Sequence, residues 1–404
     1  MTHTSGPLAG VRVLDMTQLM AGPYCTALLA DLGADVIKIE KPETGDDARR
    51  MGTSEDQDAS PPFIAMNRNK RGIVLDIKSE LGASALRELV RGADVLVENF
   101  RPGTMDRLGL GYEALAEIRP ELVYCSISGF GATGPYRDRG GFDLVAQAMS
   151  GLLSMTGSPE AGPAKVGVPI CDLNAGMYAA IGVLSAYIHR LKTGVGQFLD
   201  TSLLDSGIAY TVWETAALFS SGDVASPLGT AHRLSAPYQL LPTGDGWIAI
   251  GAANDRTFGK LCAAIELDEL VNDSRFVTNA ARMRNRDELI EVLSNRLRER
   301  TTADWLEPLH RHGVPSGPMY DVEQVYQDPH VQARDMLVTT EHPRMGTVRH
   351  IGSPVKLSKT PMAIQRTAPL LGEHTREVLI EAGIDEATVE RTLGVDAVAV
   401  AVAG

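Results

Sequence analysis

The residue best placed to do chemistry is Asp172, in the segment Val168-Pro-Ile-Cys-Asp-Leu-Asn-Ala-Gly-Met-Tyr-Ala-Ala180. It stands just before an apolar stretch that predicts a helix over about 174–191. The first N–H groups of a helix have no partner within it and carry the positive end of its dipole. A carboxylate there is expected to stay ionised, and an ionised, positioned carboxylate can attack an activated acyl group. Asp is also a preferred helix cap. From this segment alone a nucleophile and a cap both remain open. Cys171, beside it, has no base to pair with and reads as packing.

The first half of the chain reads as alternating strand and helix. Strands are expected at Val11–Asp15, Val36–Glu40, Ile73–Asp76, Asp94–Glu98, Leu122–Ser126 and Gln197–Thr201. A helix opened by Gly22-Pro23 and closed by Gly33, and a second at Leu81–Arg91, separate the early ones. Such alternation implies a parallel sheet covered on both faces, with ligands at the carboxyl ends of the strands. Polar clusters fall there: Met16-Thr17-Gln18, Glu40-Lys41-Pro42 and Asn99-Phe100-Arg101. Leu203–Ser220 reads as one more apolar helix. Beyond Gly222 the style changes. Tyr238–Leu241 and Trp247–Ile250 flank Thr243-Gly-Asp-Gly246 as a hairpin, and helices follow at about Asp255–Ile265, Asp287–Arg298 and Thr302–His312. Gly313–Pro318 reads as a stiff connector, and 397–404 as a low-complexity tail. The expected organisation is a large Rossmann-like domain from 1–200 plus 330–404, a smaller α/β domain at 225–320, and linkers at 201–224 and 321–329.

Composition narrows the function. The chain has 404 residues, enough for two cores, and its 44% hydrophobic and 22% charged content is ordinary for a globular protein. No apolar run approaches the ~18–20 residues a bilayer span needs. No secretory signal is visible, so the expected setting is cytoplasmic, without membrane association. A net charge of −13 argues against nucleic acid as a partner. Cations nevertheless gather in the first quarter, Lys70, Arg71 and Arg107 among them, which would suit a small polyphosphate ligand. The four scattered cysteines show neither disulfide nor metal spacing, and no metal site is expected. Gly129-Phe-Gly131-Ala-Thr-Gly134 fits a dinucleotide motif by letter. Pro135 and the polar run after it hold the chain in a loop where that motif needs a helix.

Several segments in series resemble the class III coenzyme A transferases, a group that includes formyl-CoA and carnitine CoA-transferases and the α-methylacyl-CoA racemases. They are Leu14–Pro23, Leu32–Pro42, Asn67–Lys70, Val97–Gly103, Ser128–Pro135, the Asp172 segment and Thr243–Ile250. The resemblance implies a Rossmann-like domain with a smaller inserted domain, in an obligate interlocked homodimer. It implies that Asp172 attacks an acyl-CoA thioester and passes through an acyl anhydride and an aspartyl-CoA thioester. Gly129 and Gly131 would supply backbone N–H groups to the oxyanions. Coenzyme A, a substrate rather than a resident cofactor, would be held by Asn99, Phe100 and Arg107, with Thr17, Met20, Lys70 and Arg71 as further contacts.

Departures from the family pattern refine this. Formyl-CoA transferases carry glutamine at the place of Met20, tyrosine at that of Phe142, and a glycine run where this chain has Gly229–Ser235. Those differences count against oxalate or formate. Gly229-Thr-Ala-His-Arg233 resembles members acting on short dicarboxylates with succinyl-CoA as donor. His232 or Arg233 would then pair with a second carboxylate, or else belong to a loop or inter-domain salt bridge. A racemase needs two bases about the α-carbon. The family's Gly-His-Asp reads Gly141-Phe142-Asp143 here, which favours a transferase, with Asp143 a conceivable base. A non-catalytic CoA-binding protein is the third alternative, and the intact Asp172 segment argues against it.

Overall fold

The computed structural model describes residues 6–52, 58 and 60–393. The tail at 397–404 lies outside the described residues. The chain divides into two units: one of residues 1–153, 165–223 and 332–404, the other of 154–164 and 224–331.

The large unit is built on β1 (Arg12–Asp15), α1 (Ala21–Asp31), β2 (Asp35–Glu40), β3 (Lys70–Val74), α2 (Glu80–Arg91), β4 (Val95–Glu98) and β5 (Val123–Ser128). It continues through α3 (Asp143–Met149), α4 (Ile170–Thr193), β6 (Gln197–Ser202), α5 (Leu203–Ala209) and α6 (Val212–Ser221). The six strands are all parallel, in the order β3-β2-β1-β4-β5-β6. The chain winds outward from β1, then returns to add β4 on its other side, so the topological switch lies between β1 and β4.

Neighbouring residues on each strand face opposite ways. Val13, Val36, Val95 and Val123 pack with Cys25, Leu29, Ala179 and Val183 of α1 and α4. Leu14, Ile37, Leu96 and Tyr124 pack with Leu86 and Leu89 of α2 on the opposite face. Each such side chain contributes roughly 1.5–3 kcal/mol by leaving water. A Cβ on Gly176 of α4 would sit 2.6 Å from the Ala21 carbonyl oxygen, so only glycine lets α4 lie this close to α1.

The small unit holds an antiparallel sheet of β7 (Tyr238–Pro242), β8 (Trp247–Gly251) and β9 (Ser316–Pro318), in the order β9-β8-β7. Its helices Asp255–Ala264, Arg286–Leu297 and Thr302–Arg311 close a core around Phe258, Leu293 and Trp305.

Four expectations need correcting. The third strand begins at Lys70 rather than Ile73, because the charges of Lys70 and Arg71 are neutralised by acidic partners inside the fold. The single helix expected over 203–220 is two, parted at Tyr210–Thr211, where the Thr211 hydroxyl bonds back to the Ile208 carbonyl. Residues 201–224 are therefore largely helical rather than a linker, and 321–329 likewise carries Val322–Gln327, capped by Asp321. The stiff connector at 313–318 supplies a strand, with Ala249 opposite Gly317.

Candidate active site

Asp172 does not cap its helix. Helix α4 starts at Ile170, the capping position is Pro169 with no side-chain cap, and Asp172 lies inside the first turn. The expectation of a carboxylate held firmly ionised is also corrected. Burial, and then repulsion from Asp143, push the Asp172 carboxyl from 3.8 up to about 7. The helix dipole favours the anion but is outweighed by the loss of water. A carboxylate in this state is partly ionised at neutral pH and more basic than one in water, which suits a nucleophile.

Asp143 opens α3, and both of its oxygens are engaged. One accepts the Cys171 N–H at 2.9 Å, and the other accepts Gln147 Nε2 at 2.6 Å. Gln147 is fully buried, and its own oxygen accepts the Val166 N–H at 2.9 Å. Asp143 thus ties the start of α4 to α3 and sets a negative charge beside Asp172. Asn174 adds a second tie, donating to the Ser206 carbonyl at 2.6 Å. The sequence offers Asp143 only as a conceivable base and assigns Gln147 no role. The i,i+4 spacing of an acid and an amide on one helix face was the available signal.

The two glycines do structural work at this place. A Cβ on Gly129 would lie 2.6 Å from the Gly141 Cα, and one on Gly141 would lie 2.5 Å from the Gly129 Cα. This contact seats the turn leading into Asp143 against the end of β5. Gly131 takes φ +87°, and its N–H donates to Ser128 Oγ at 2.9 Å, so that N–H is used inside the loop rather than offered to an oxyanion. Phe142 projects outward and is 72% exposed. Cys171 is buried, and its thiol is pushed up to about 12, consistent with a packing role.

At the switch point the residues implied by resemblance part company. Thr17 is buried and bonded to Asp15 through both its N–H and its hydroxyl. Met20 stands half-buried just before α1. Asn99 Nδ2 and Oδ1 bond the backbone of Gln18. Phe100 is half-buried and donates its N–H to Glu98 at 2.7 Å, while Arg107 points outward beside Thr104. Beside these, a cavity of about 300 Å³ is lined by Glu98, Arg101, Asp106, Tyr112 and Phe198. Burial lifts the Glu98 carboxyl to about 7.

Lys70 and Arg71 are corrected as ligand contacts. Lys70 is fully buried, with its ammonium on Asp15, Thr26, Asn67 and the Pro23 carbonyl. Arg71 is 3% exposed and pairs with Asp35, Glu377 and Glu381. Neither has a donor to spare for a phosphate. Lys70→Met is therefore expected to strip the buried Asp15 of its bonded ammonium partner, leaving it only Thr17, Thr26 and the charge of Lys38, and to lower stability by about 3 kcal/mol in urea unfolding. A variant of unchanged stability that binds acyl-CoA more weakly would contradict that assignment.

His232 and Arg233 belong to the small unit. The imidazole of His232 stacks on Tyr238 with centroids 4.9 Å apart, and its Nδ1 accepts the Leu234 N–H. Arg233 donates to the Ser226 carbonyl at 2.7 Å, while its Nε is buried without a partner.

The large unit is thus a doubly wound α/β unit that carries, in the first turn of α4, a carboxylate balanced near neutrality. Residues 8–375 match the family model of CoA-transferase family III, and the chain belongs to that family. It is similar to the succinyl-CoA:glutarate CoA-transferase of Homo sapiens, 41% identical over 93% of this chain and 86% of that one. The succinate–glutarate CoA-transferase of Agrobacterium fabrum is 38% identical, covering 97% of this chain and 98% of the other. Among solved structures, a CAIB/BAIF family protein from Brucella suis superposes with a TM-score of 0.85. It is 39% identical, over 94% of this chain and all of that one.

Proposed function

We propose that this family III CoA-transferase moves coenzyme A from succinyl-CoA to a short dicarboxylate through covalent intermediates on Asp172. The observation that carries the reading is the half-buried Asp172 carboxyl, raised to about 7 beside the firmly held Asp143. The Asp172 carboxylate attacks the thioester carbonyl of the donor and expels the CoA thiolate, leaving a mixed anhydride. The thiolate then attacks the aspartyl carbonyl, forming an aspartyl-CoA thioester and releasing succinate. The acceptor carboxylate attacks that thioester, again expelling thiolate and forming a second anhydride. Thiolate attack on the acceptor's acyl carbonyl releases the new acyl-CoA and restores Asp172. Each step exchanges one activated acyl bond for another, so little free energy is lost provided water is excluded.

Dicarboxylate specificity is supported by the names of the two transferases described above. His232 and Arg233 remain our proposal for pairing with the acceptor's second carboxylate. The proton-exchange alternative is disfavoured because Phe142, standing where the racemases carry a histidine base, cannot carry a proton. We further propose that the working form is the homodimer. In its support, Ile181, Ile188 and Leu191 on α4 and Trp213 and Phe219 on α6 are exposed in the single chain.

An acceptor panel with succinyl-CoA tests the substrate class. Four- and five-carbon dicarboxylates should exceed acetate and formate in kcat/KM by roughly a hundredfold, the scale of one lost hydrogen-bonded pairing to a charged group. Equal rates for mono- and dicarboxylates would overturn the assignment.

A further inference from the structure

The loop from β1 to α1 is held by side chains. The Thr17 N–H donates to Asp15 Oδ1 at 3.0 Å, and the Thr17 carbonyl accepts from Lys38 Nζ. Gln18 is gripped at both ends by Asn99, each bond 2.8 Å, as a neighbouring strand would grip it. The Leu19 N–H donates to Asp46 Oδ1 at 3.0 Å, and Asp46 in turn pairs with Lys38 at 2.8 Å. Asp15, Lys38 and Asp46 are essentially inaccessible to water. Leu19 adopts φ +67°, a conformation that a leucine keeps only where its surroundings over-determine it.

This loop lies at the topological switch, where doubly wound folds bind their ligands. Two residues beyond Leu19, the Ala21 carbonyl meets Gly176, one turn along α4 from Asp172. The loop and the helix carrying Asp172 are thus packed together.

We infer that Asn99 is a positioning residue for acyl-CoA rather than a direct ligand, acting with the Lys38–Asp46 pair to hold Gln18 and Leu19 in a ready-made binding shape. The amide of Asn99 has its carbonyl and one N–H on the Gln18 backbone, and the strained Leu19 depends on the acceptor supplied by Asp46. The ligand-binding half of this inference rests on the CoA-transferase reading. The loop-holding half does not.

Hydrogen exchange on the ligand-free protein and calorimetric binding of free CoA test it together. Asn99→Ala should speed exchange in a peptide spanning 16–20 by about tenfold and weaken CoA by about tenfold, as expected for two lost hydrogen bonds. Asn99→Asp keeps the acceptor for the Gln18 N–H and should fall between Asn99→Ala and the wild type on both readouts. Should Asn99→Ala fail to fold, Asp46→Asn replaces it, with faster exchange at Leu19 and weaker CoA expected. Weaker CoA with unchanged exchange would make Asn99 a direct ligand and overturn the inference. Faster exchange with unchanged CoA affinity would reduce the cage to a purely structural role and also overturn it. A wild-type protein that binds no CoA would sink the proposed function, while exchange alone would still decide the clamp.

Discussion

Asp172→Ala is expected to lower CoA transfer from succinyl-CoA by at least about a thousandfold, the scale on which removing a covalent nucleophile acts. The variant should fold, because Asp172 makes no capping bond and the start of α4 is tied down by Asp143 and Asn174 instead. Asp172→Asn should be as inactive, since an amide of nearly the same shape cannot attack the thioester. Its stability should change with pH in a revealing way. The carboxyl is pushed from 3.8 up to about 7 in the folded protein, so the fold binds this proton more tightly than the unfolded chain does. The resulting penalty is absent below about pH 4, grows between 4 and 7, and is complete above 7, with a ceiling of about 4 kcal/mol. Asp172→Asn should therefore be more stable than the parent at pH 8 and equal to it at pH 4 in denaturant titrations. A variant as active as the parent would remove Asp172 from the chemistry. A stability difference independent of pH would show that its carboxyl is not raised.

The second large effect concerns Asp143. Since Asp172 attacks only as the anion, donor kcat/KM should fall about tenfold per pH unit below about 7 and level off above it. Asp143→Asn removes the neighbouring charge that contributes to this elevation. The acidic limb should move to lower pH, leaving burial as the remaining cause. The plateau should drop as well, because an amide cannot accept from the Cys171 N–H and from Gln147 Nε2 without turning one of them away. A pH–rate profile of the variant checks both. An unmoved limb would mean that Asp143 acts only as a strut between α3 and α4.

Much of the large unit was legible in the sequence because its strands carry apolar runs with glycine and proline at the boundaries. Val36–Glu40 and Gln197–Thr201 emerged within one residue of their observed limits. The signal failed where charge was buried. Lys70 and Arg71 read as ligand-binding cations because the sequence does not reveal that Asp15, Asp35, Glu377 and Glu381 converge on them. The elevation of Asp172 escaped notice for a related reason. The dipole at a helix start can be read locally, whereas burial and the approach of Asp143 from 29 residues earlier are products of tertiary packing. Gly129 and Gly131 stand out in the sequence as glycines offered to an oxyanion, and their packing roles cannot be read there. The contact that requires Gly129 is with Gly141, across a loop whose path no motif specifies. The strand at Ser316–Pro318 was missed because three residues rich in glycine and proline carry no alternation to read.

The central claim is that Asp172 is covalently acylated during turnover, and trapping with mass spectrometry tests it most directly. The purified protein is incubated with succinyl-CoA, quenched with hydroxylamine or borohydride, digested and mapped beside Asp172→Ala. A trapped modification on Asp172 that is absent from the variant is the predicted result. An unmodified Asp172 in a protein that exchanges the α-proton of an acyl-CoA in deuterated water would contradict the covalent account and put proton transfer in its place.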